Sequence, residues 1–291
     1  IYLIINVLYY LLRYEPISER LELLREYASR SNEASLRQAL RYYGLCTRRD
    51  TAEVVRRRAG VCDTLRVATV PYGSVSPLYD PAQLVQPPFR LLVDSVGYIY
   101  AGTFTREHLA EVGQTLPRTR ALIIDLRTYP MNVDGALIAL AGQSLCTEPV
   151  VAWQTLHQTL ALPGLFFRQE QWLDNGFEEG AARCTETYKG RVILLVDEMT
   201  QSNPEFQAMA FQSCPQTLTI GSPTSGANGS IVWIPLPGQM TSFSGIGALY
   251  PDGTQPQTVG VRLDVEVLPT AEGLQAGRDE VLERALELAR Q

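Results

Sequence analysis

The sequence predicts an α/β fold built on a largely parallel sheet. Three observations carry this expectation. From about residue 96 onward, strand-like apolar runs alternate with segments of helical periodicity. Two of the runs, residues 121–127 and 192–196, are almost continuously apolar, as strands covered on both faces are. Both lead into polar residues at their carboxyl ends, where sheets of this kind gather their chemistry.

The chain opens with Ile1-Tyr-Leu-Ile-Ile-Asn-Val-Leu-Tyr-Tyr-Leu-Leu. The run is too short to span a bilayer and lacks the flanks of a signal peptide. It reads as a buried element whose upstream partner is missing, so the chain is expected to be N-terminally truncated. Residues 15–45 are helical by pattern: Ile17, Leu21, Leu24 and Tyr27 form an apolar stripe, and Ser31-Asn-Glu-Ala-Ser restarts a second helix with cap chemistry. Residues 51–55 and 64–70 are expected as two strands, with the arginine run 56–60 as a solvated hairpin end. Pro, Gly and Ser cluster from 71 to 88, which marks a linker. The expected division is a partial domain over 1–75, a linker over 76–88 and a core over 89–291.

Within the core, residues 96–101 form a strand and 105–112 a helix opened by a threonine cap. A strand follows at 121–127, a helix at 133–145, and strands at 150–153, 192–196 and 218–221. Residues 279–291 close the chain as an amphipathic helix with Val281, Leu282, Ala285 and Leu286 turned inward.

At 291 residues the chain can hold one large or two medium domains. A net charge of -6 argues against nucleic acid as the main partner. Five cysteines form no C-x-x-C pair and no zinc spacing, and two histidines cannot make a histidine-rich metal site. An odd cysteine count leaves the redox compartment open. Lys189 is the single lysine.

The segment Arg191-Val-Ile-Leu-Leu-Val-Asp-Glu-Met-Thr-Gln-Ser-Asn-Pro-Glu-Phe206 reads as a buried strand, a polar turn carrying Ser202, and a helix. A serine there meets the free N–H groups of a helix N-terminus. It can serve as an N-cap, or as a nucleophile whose oxyanion those N–H groups hold.

Taken together, the motifs resemble the C-terminal processing (tail-specific) serine peptidases, relatives of the tricorn protease core and of interphotoreceptor retinoid-binding protein. Val96-Gly-Tyr-Ile-Tyr-Ala-Gly-Thr-Phe is similar to the family's first core strand. Ile123-Ile-Asp-Leu-Arg-Thr-Tyr-Pro resembles its I-I-D-L-R-x-x-P signature, and Thr200-Gln-Ser-Asn-Pro-Glu its T-x-S-x-x-E turn. Ile220-Gly-Ser-Pro-Thr-Ser-Gly-Ala, Tyr250-Pro-Asp-Gly-Thr and Gly260-Val-Arg-Leu-Asp follow in the family's order. The resemblance implies a ClpP/crotonase-like β/α superhelix core, preceded by part of a PDZ-like domain in residues 1–75. It also implies a serine endopeptidase acting on unstructured polypeptides in the bacterial periplasm or cell envelope. No cofactor, metal or nucleic acid is implied, and nothing indicates an oligomeric state.

By the match, Ser202 is the nucleophile, and the backbone N–H groups of Asn203 and Thr128 form the oxyanion hole. Asp125 and Arg127 are expected to be structural, pairing with each other or with nearby backbone. Gln257 and Glu205 are possible supporting residues. The sequence also departs from the family. Ala227 stands where many members carry a lysine, Gln257 where one branch has a glutamate, and Leu263 where proline is expected. Lys189 precedes the strand that Ser202 follows, and six strand residues at about 3.3 Å each separate them by roughly 20 Å. His108 and His157 are expected in surface or packing roles. The base is therefore expected in a segment the chain lacks, leaving it weakly active or inactive. Two alternatives stand beside this reading. One is a non-catalytic module for an apolar ligand or peptide, its pocket lined by Trp153, Phe166, Phe167 and Trp172, residues more ordinarily core. The other is a crotonase-like acyl-CoA enzyme.

Overall fold

The computed structural model describes residues 17–27, 30–43, 49–58, 60–70, 86–130, 133–146, 148–159, 161–173, 187–237 and 239–291. The apolar opening run and most of the expected linker lie outside these residues. Two compact units are present: Ile1–Ser29, Leu36–Val85 and Pro235–Thr241 in one, Arg30–Ser35, Gln86–Ile234 and Ser242–Gln291 in the other. Residues 30–35 group with the second unit and residues 235–241 with the first.

In the first part of the chain, α1 (Ile17–Tyr27) buries Leu24, and α2 (Glu33–Tyr43) follows an Asn32 cap whose Oδ1 accepts the Ser35 N–H at 2.9 Å. Strands β1 (Thr51–Arg58) and β2 (Val61–Ala68) pair antiparallel. The arginine run is not the hairpin end expected from sequence. It continues β1, with Arg56 opposite Asp63 and joined to it by a bidentate ion pair of 3.1 and 2.6 Å. Cross-strand charge pairing lets Arg56 ride on an exposed ribbon.

The second unit is organised by a six-stranded sheet ordered β13-β9-β8-β5-β4-β3. Its strands are β3 (Phe89–Leu92), β4 (Val96–Tyr100), β5 (Ala121–Asp125), β8 (Arg191–Val196), β9 (Thr217–Gly221) and β13 (Val265–Glu266). All neighbours are parallel except β3, which runs antiparallel to β4. The parallel crossovers carry α3 (Leu109–Thr115), α4 (Ala136–Leu145) and α5 (Asn203–Gln212). Successive strand residues alternate between two cores. Leu122, Ile124, Val192, Leu194 and Val196 face Leu137 and Leu140 of α4 and Met209 and Phe211 of α5. Ile123, Ile193, Leu195 and Ile220 face Val281, Ala285 and Leu288 of α7 (Glu280–Leu288), which is preceded by α6 (Ala271–Gln275). Burial on both faces explains the continuous apolar runs.

A separate three-stranded sheet is ordered β12-β6-β7, from β6 (Val150–Gln158), β7 (Phe166–Leu173) and β12 (Gly247–Leu249). Strands β10 (Ile231–Leu236) and β11 (Gln239–Ser244) pair with each other. Of the four aromatics expected in a core, Trp153 packs against it and the other three do not. Phe166, Phe167 and Trp172 lie on the edge strand β7 and are each about half exposed, while Trp153 packs on Phe206 at 5.3 Å between ring centroids.

Candidate active site

Strands β5 and β8 run side by side, with Asp125 opposite Leu195, so their polar exits lie at one end of the sheet. The Thr200 hydroxyl donates to the Leu126 carbonyl at 3.0 Å and so ties the two exits together. Thr200 is fully buried, and its Oγ1 also accepts the Asp197 N–H at 3.1 Å. Sequence reasoning gave Thr200 no role beyond its place in the motif.

Ser202 sits on the resulting corner, partly exposed, with φ 57° and ψ -115°. An L-residue rarely enters this region, and doing so costs of order 1–3 kcal/mol. The Glu205 carboxylate accepts the Ser202 N–H at 3.3 Å, one half of a capping box, while the serine hydroxyl completes the box without a cap hydrogen bond of normal geometry. The Glu205 N–H donates instead to the Ser202 carbonyl at 3.0 Å. The hydroxyl thus faces the Glu205 N–H as an acceptor and keeps its own proton. Among the described residues, the main-chain N–H groups of Asn203 and Thr128 donate to no protein acceptor.

Glu205 is fully buried and collects four donors: Thr224 Oγ1 at 2.6 Å, Gly226 N at 2.8 Å, Ala227 N at 3.0 Å and Ser202 N. Burial raises its pKa, and the hydrogen bonds oppose the rise. Its work is to fasten the loop after β9 to the start of α5. Gly226 in that loop has φ +59°, and a Cβ there would meet Asn32 Nδ2 and the Val259 and Gly260 nitrogens at 2.9 Å, so the turn requires glycine. Gln257 holds the neighbouring backbone: its Nε2 donates to the Asn228 and Ile246 carbonyls at 2.9 and 3.0 Å, and its Oε1 accepts the Ala248 N–H at 3.1 Å. Tyr250 anchors the far end of α5 by donating to Gln212 Oε1 at 2.6 Å, and burial pushes its pKa up to about 12.

Asp125 and Arg127 form a fork. Arg127 Nε and Nη2 donate to Asp125 at 2.9 and 2.6 Å, and Nη1 and Nη2 donate to Asp279 at 2.9 and 2.8 Å. The Tyr98 hydroxyl also donates to Asp125 at 2.8 Å. Asp279 caps α7 through the Leu282 N–H, so the fork joins the exit of β5 to the closing helix.

Neither histidine is placed as a base. His108 Nδ1 accepts the Thr105 N–H at 3.1 Å, which puts the proton of the neutral ring on Nε2 and leaves that nitrogen no lone pair to accept one. His157 stacks on Phe167 at 5.2 Å, and its Nε2 contacts Thr155 Oγ1 at 2.8 Å. Lys189 lies at the entry of β8, opposite its Ser202 end, and donates to Thr187.

Asp197, at the exit of β8, has its carboxyl pushed up to about 7, first by burial and then by Glu198. A raised folded pKa means tighter proton binding in the folded state. The stabilisation from this proton is complete below the unfolded carboxyl value of about 3.9 and is lost as pH rises through about 7. Asp197→Asn keeps an acceptor for Met199 N, which Asp197 Oδ1 binds at 2.8 Å. It should leave stability near pH 4 unchanged and raise it at pH 8 by on the order of 1–2 kcal/mol, read as a flatter profile of thermal midpoint against pH.

A groove of about 410 Å³ runs beside this loop cluster, lined by Leu156, Phe166, Gly226, Phe243, Gln257 and their neighbours. His157 points away from it, since Leu156 and Gln158 line the groove on the alternate face of β6.

The family model for peptidase family S41 matches residues 95–267. The chain belongs to peptidase family S41. The match spans the parallel strands of the sheet, the Ser202 corner and the Gly226 and Gln257 loops, and begins after β3. A putative peptidase from Parabacteroides merdae is 20% identical, with a TM-score of 0.57, over 69% of this chain and 63% of that one. This S41 chain thus spans less than two thirds of that structure's length. Mature CPAF complexed with lactacystin is 15% identical, with a TM-score of 0.69, over 95% of this chain and 76% of that one. These likenesses show a shared mixed α/β fold. No curated protein matches the chain.

Proposed function

We propose that this S41 chain is a serine endopeptidase that cleaves unstructured polypeptides through an acyl-enzyme on Ser202. The observation that carries the reading is the strained, partly exposed serine at the strand-to-helix corner, its hydroxyl held only by a loose capping-box contact. Ser202 Oγ attacks the peptide carbonyl, the amine leaves, and water clears the ester. The free Asn203 and Thr128 amides are the donors for the oxyanion, each worth about 2.7–4 kcal/mol of transition-state stabilisation. Glu205 and Gln257 are positioning residues that hold the loops around the corner. The base comes from a group outside the described residues, because His108, His157 and Lys189 are engaged elsewhere. The polypeptide lies in the groove with an apolar side chain against Leu156 and Phe166.

The finer architecture fits the same proposal: a ClpP/crotonase-like superhelix for the core and a PDZ-like segment within residues 1–75, with the protein acting in the bacterial envelope or periplasm. The test is covalent labelling of the purified chain with a fluorophosphonate. One adduct should form per chain, mapped by mass spectrometry to Ser202 and absent in Ser202→Ala. An adduct that persists in Ser202→Ala, or none on a correctly folded chain, rejects the nucleophile.

A further inference from the structure

Cys146 and Cys214 are 68 residues apart in sequence, yet their sulfurs lie 3.8 Å from each other. Both are free thiols and both are buried, at 4% exposure each. Cys146 is the residue that ends α4, and Cys214 follows directly on the Ser213 cap of α5. The two thiols therefore face each other where the nucleophile-bearing helix and its neighbour both terminate. A cavity of about 150 Å³ adjoins them, lined by Leu145, Cys146, Glu148, Val150, Ser213, Cys214 and Pro215. It is large enough for a small oxidant, and it leaves room for the side chains to shift. A disulfide needs its sulfurs at about 2.05 Å, so closure requires an approach of under 2 Å between atoms already in contact.

We propose that Cys146 and Cys214 form an oxidisable dithiol that closes to a disulfide under a small hydroperoxide and staples the end of α5 to the end of α4. Cys214 is the sulfur that reacts first. It receives a hydrogen bond from the Cys146 thiol, which lowers its pKa, whereas Cys146, holding the shared proton, is raised. The Cys214 thiolate attacks one oxygen of hydrogen peroxide. The O–O bond breaks and, with one proton taken up, water leaves and a sulfenic acid remains. The Cys146 sulfur then attacks the Cys214 sulfur. The S–O bond breaks, the Cys146 proton goes to the departing hydroxide, and a second water leaves. Two thiols are oxidised by two electrons, and one peroxide is reduced to two waters.

The staple closes a long sequence loop, so it acts chiefly on the unfolded chain, and oxidation should raise the thermal midpoint by roughly 10 °C. The proposal is independent of the peptidase reading, since its readouts are thiol chemistry and stability.

The experiment uses the full chain carrying Cys62→Ser, which removes the exposed thiol among the described cysteines, with Cys46→Ser and Cys184→Ser added so that only the buried pair remains. It is treated with hydrogen peroxide, alkylated, and digested without reduction. The expected result is a peptide pair joined through Cys146 and Cys214, a mass loss of two hydrogens, and a raised midpoint that dithiothreitol reverses. In Cys146→Ala the midpoint should no longer respond, and Cys214 should be recovered as sulfenic or higher acid. Because the linked peptide is sought in a chain with both cysteines intact, poor folding of Cys146→Ala cannot mask the answer. Recovery of both residues as alkylated thiols, or an unchanged midpoint despite the link, would each overturn the staple.

Discussion

Ser202→Gly should make the protein more stable while removing its phosphonate adduct entirely. At φ 57° and ψ -115° the serine Cβ is held in a region that only glycine enters without penalty. Removing it relieves of order 1–3 kcal/mol, while the greater freedom of glycine in the unfolded chain takes back about 0.5–1 kcal/mol. The balance is a gain of about 1 kcal/mol, or roughly 2–4 °C in thermal midpoint for a unit of this size. Ser202→Ala deletes the same hydroxyl but keeps the Cβ, so it should lose labelling without the gain. The contrast between the two variants separates backbone strain from hydroxyl chemistry. Equal midpoints for Gly and Ala would show that the corner stores no strain.

Glu205→Ala should have the largest structural effect, about 3–5 kcal/mol, measured as a lowered denaturant midpoint. The carboxylate is inaccessible to water and satisfies the Thr224 hydroxyl and the Gly226 and Ala227 amides. Alanine leaves those donors buried without acceptors and opens a void between α5 and the loop after β9. Phosphonate labelling should fall with it, because the same carboxylate holds the Ser202 amide. Glu205→Gln preserves volume and one acceptor but turns an NH2 group toward donors, so it should cost about 1–3 kcal/mol. A wild-type midpoint in Glu205→Ala would mean that the loop is held by other contacts, with Asn32 bonding the Thr224 carbonyl at 2.9 Å as the first candidate.

The parallel strands were legible because burial on both faces leaves an unbroken apolar run, as in Leu122–Ile124 and Val192–Val196. The polar corner after β8 was legible for the same reason: it interrupts such a run abruptly. Strand β7 was not, since Phe166, Arg168 and Glu170 all lie exposed along an edge and leave no alternation to read. The exposed apolar strand β10 likewise lacks a pattern, because both of its faces are open. Glu205 could be named from its spacing to Ser202, but its partners at 224, 226 and 227 are met only in three dimensions. The same holds for Gln257, whose three main-chain bonds reach residues up to 29 positions away. The left-handed conformation of Ser202 has no sequence signal, since serine itself gives no reason to adopt it.

The fork between Arg127 and Asp279 has a practical corollary for anyone trimming this molecule. The arginine balances one carboxylate at the exit of β5 and another at the start of the final helix. A version stopping before residue 279 would leave the guanidinium with half its counter-charge and bare the strip formed by Ile193 and Leu195. The tail is thus wired to the strand whose next residues lead to the Thr128 amide, and shortening it would act on the end of the sheet that carries the Ser202 corner.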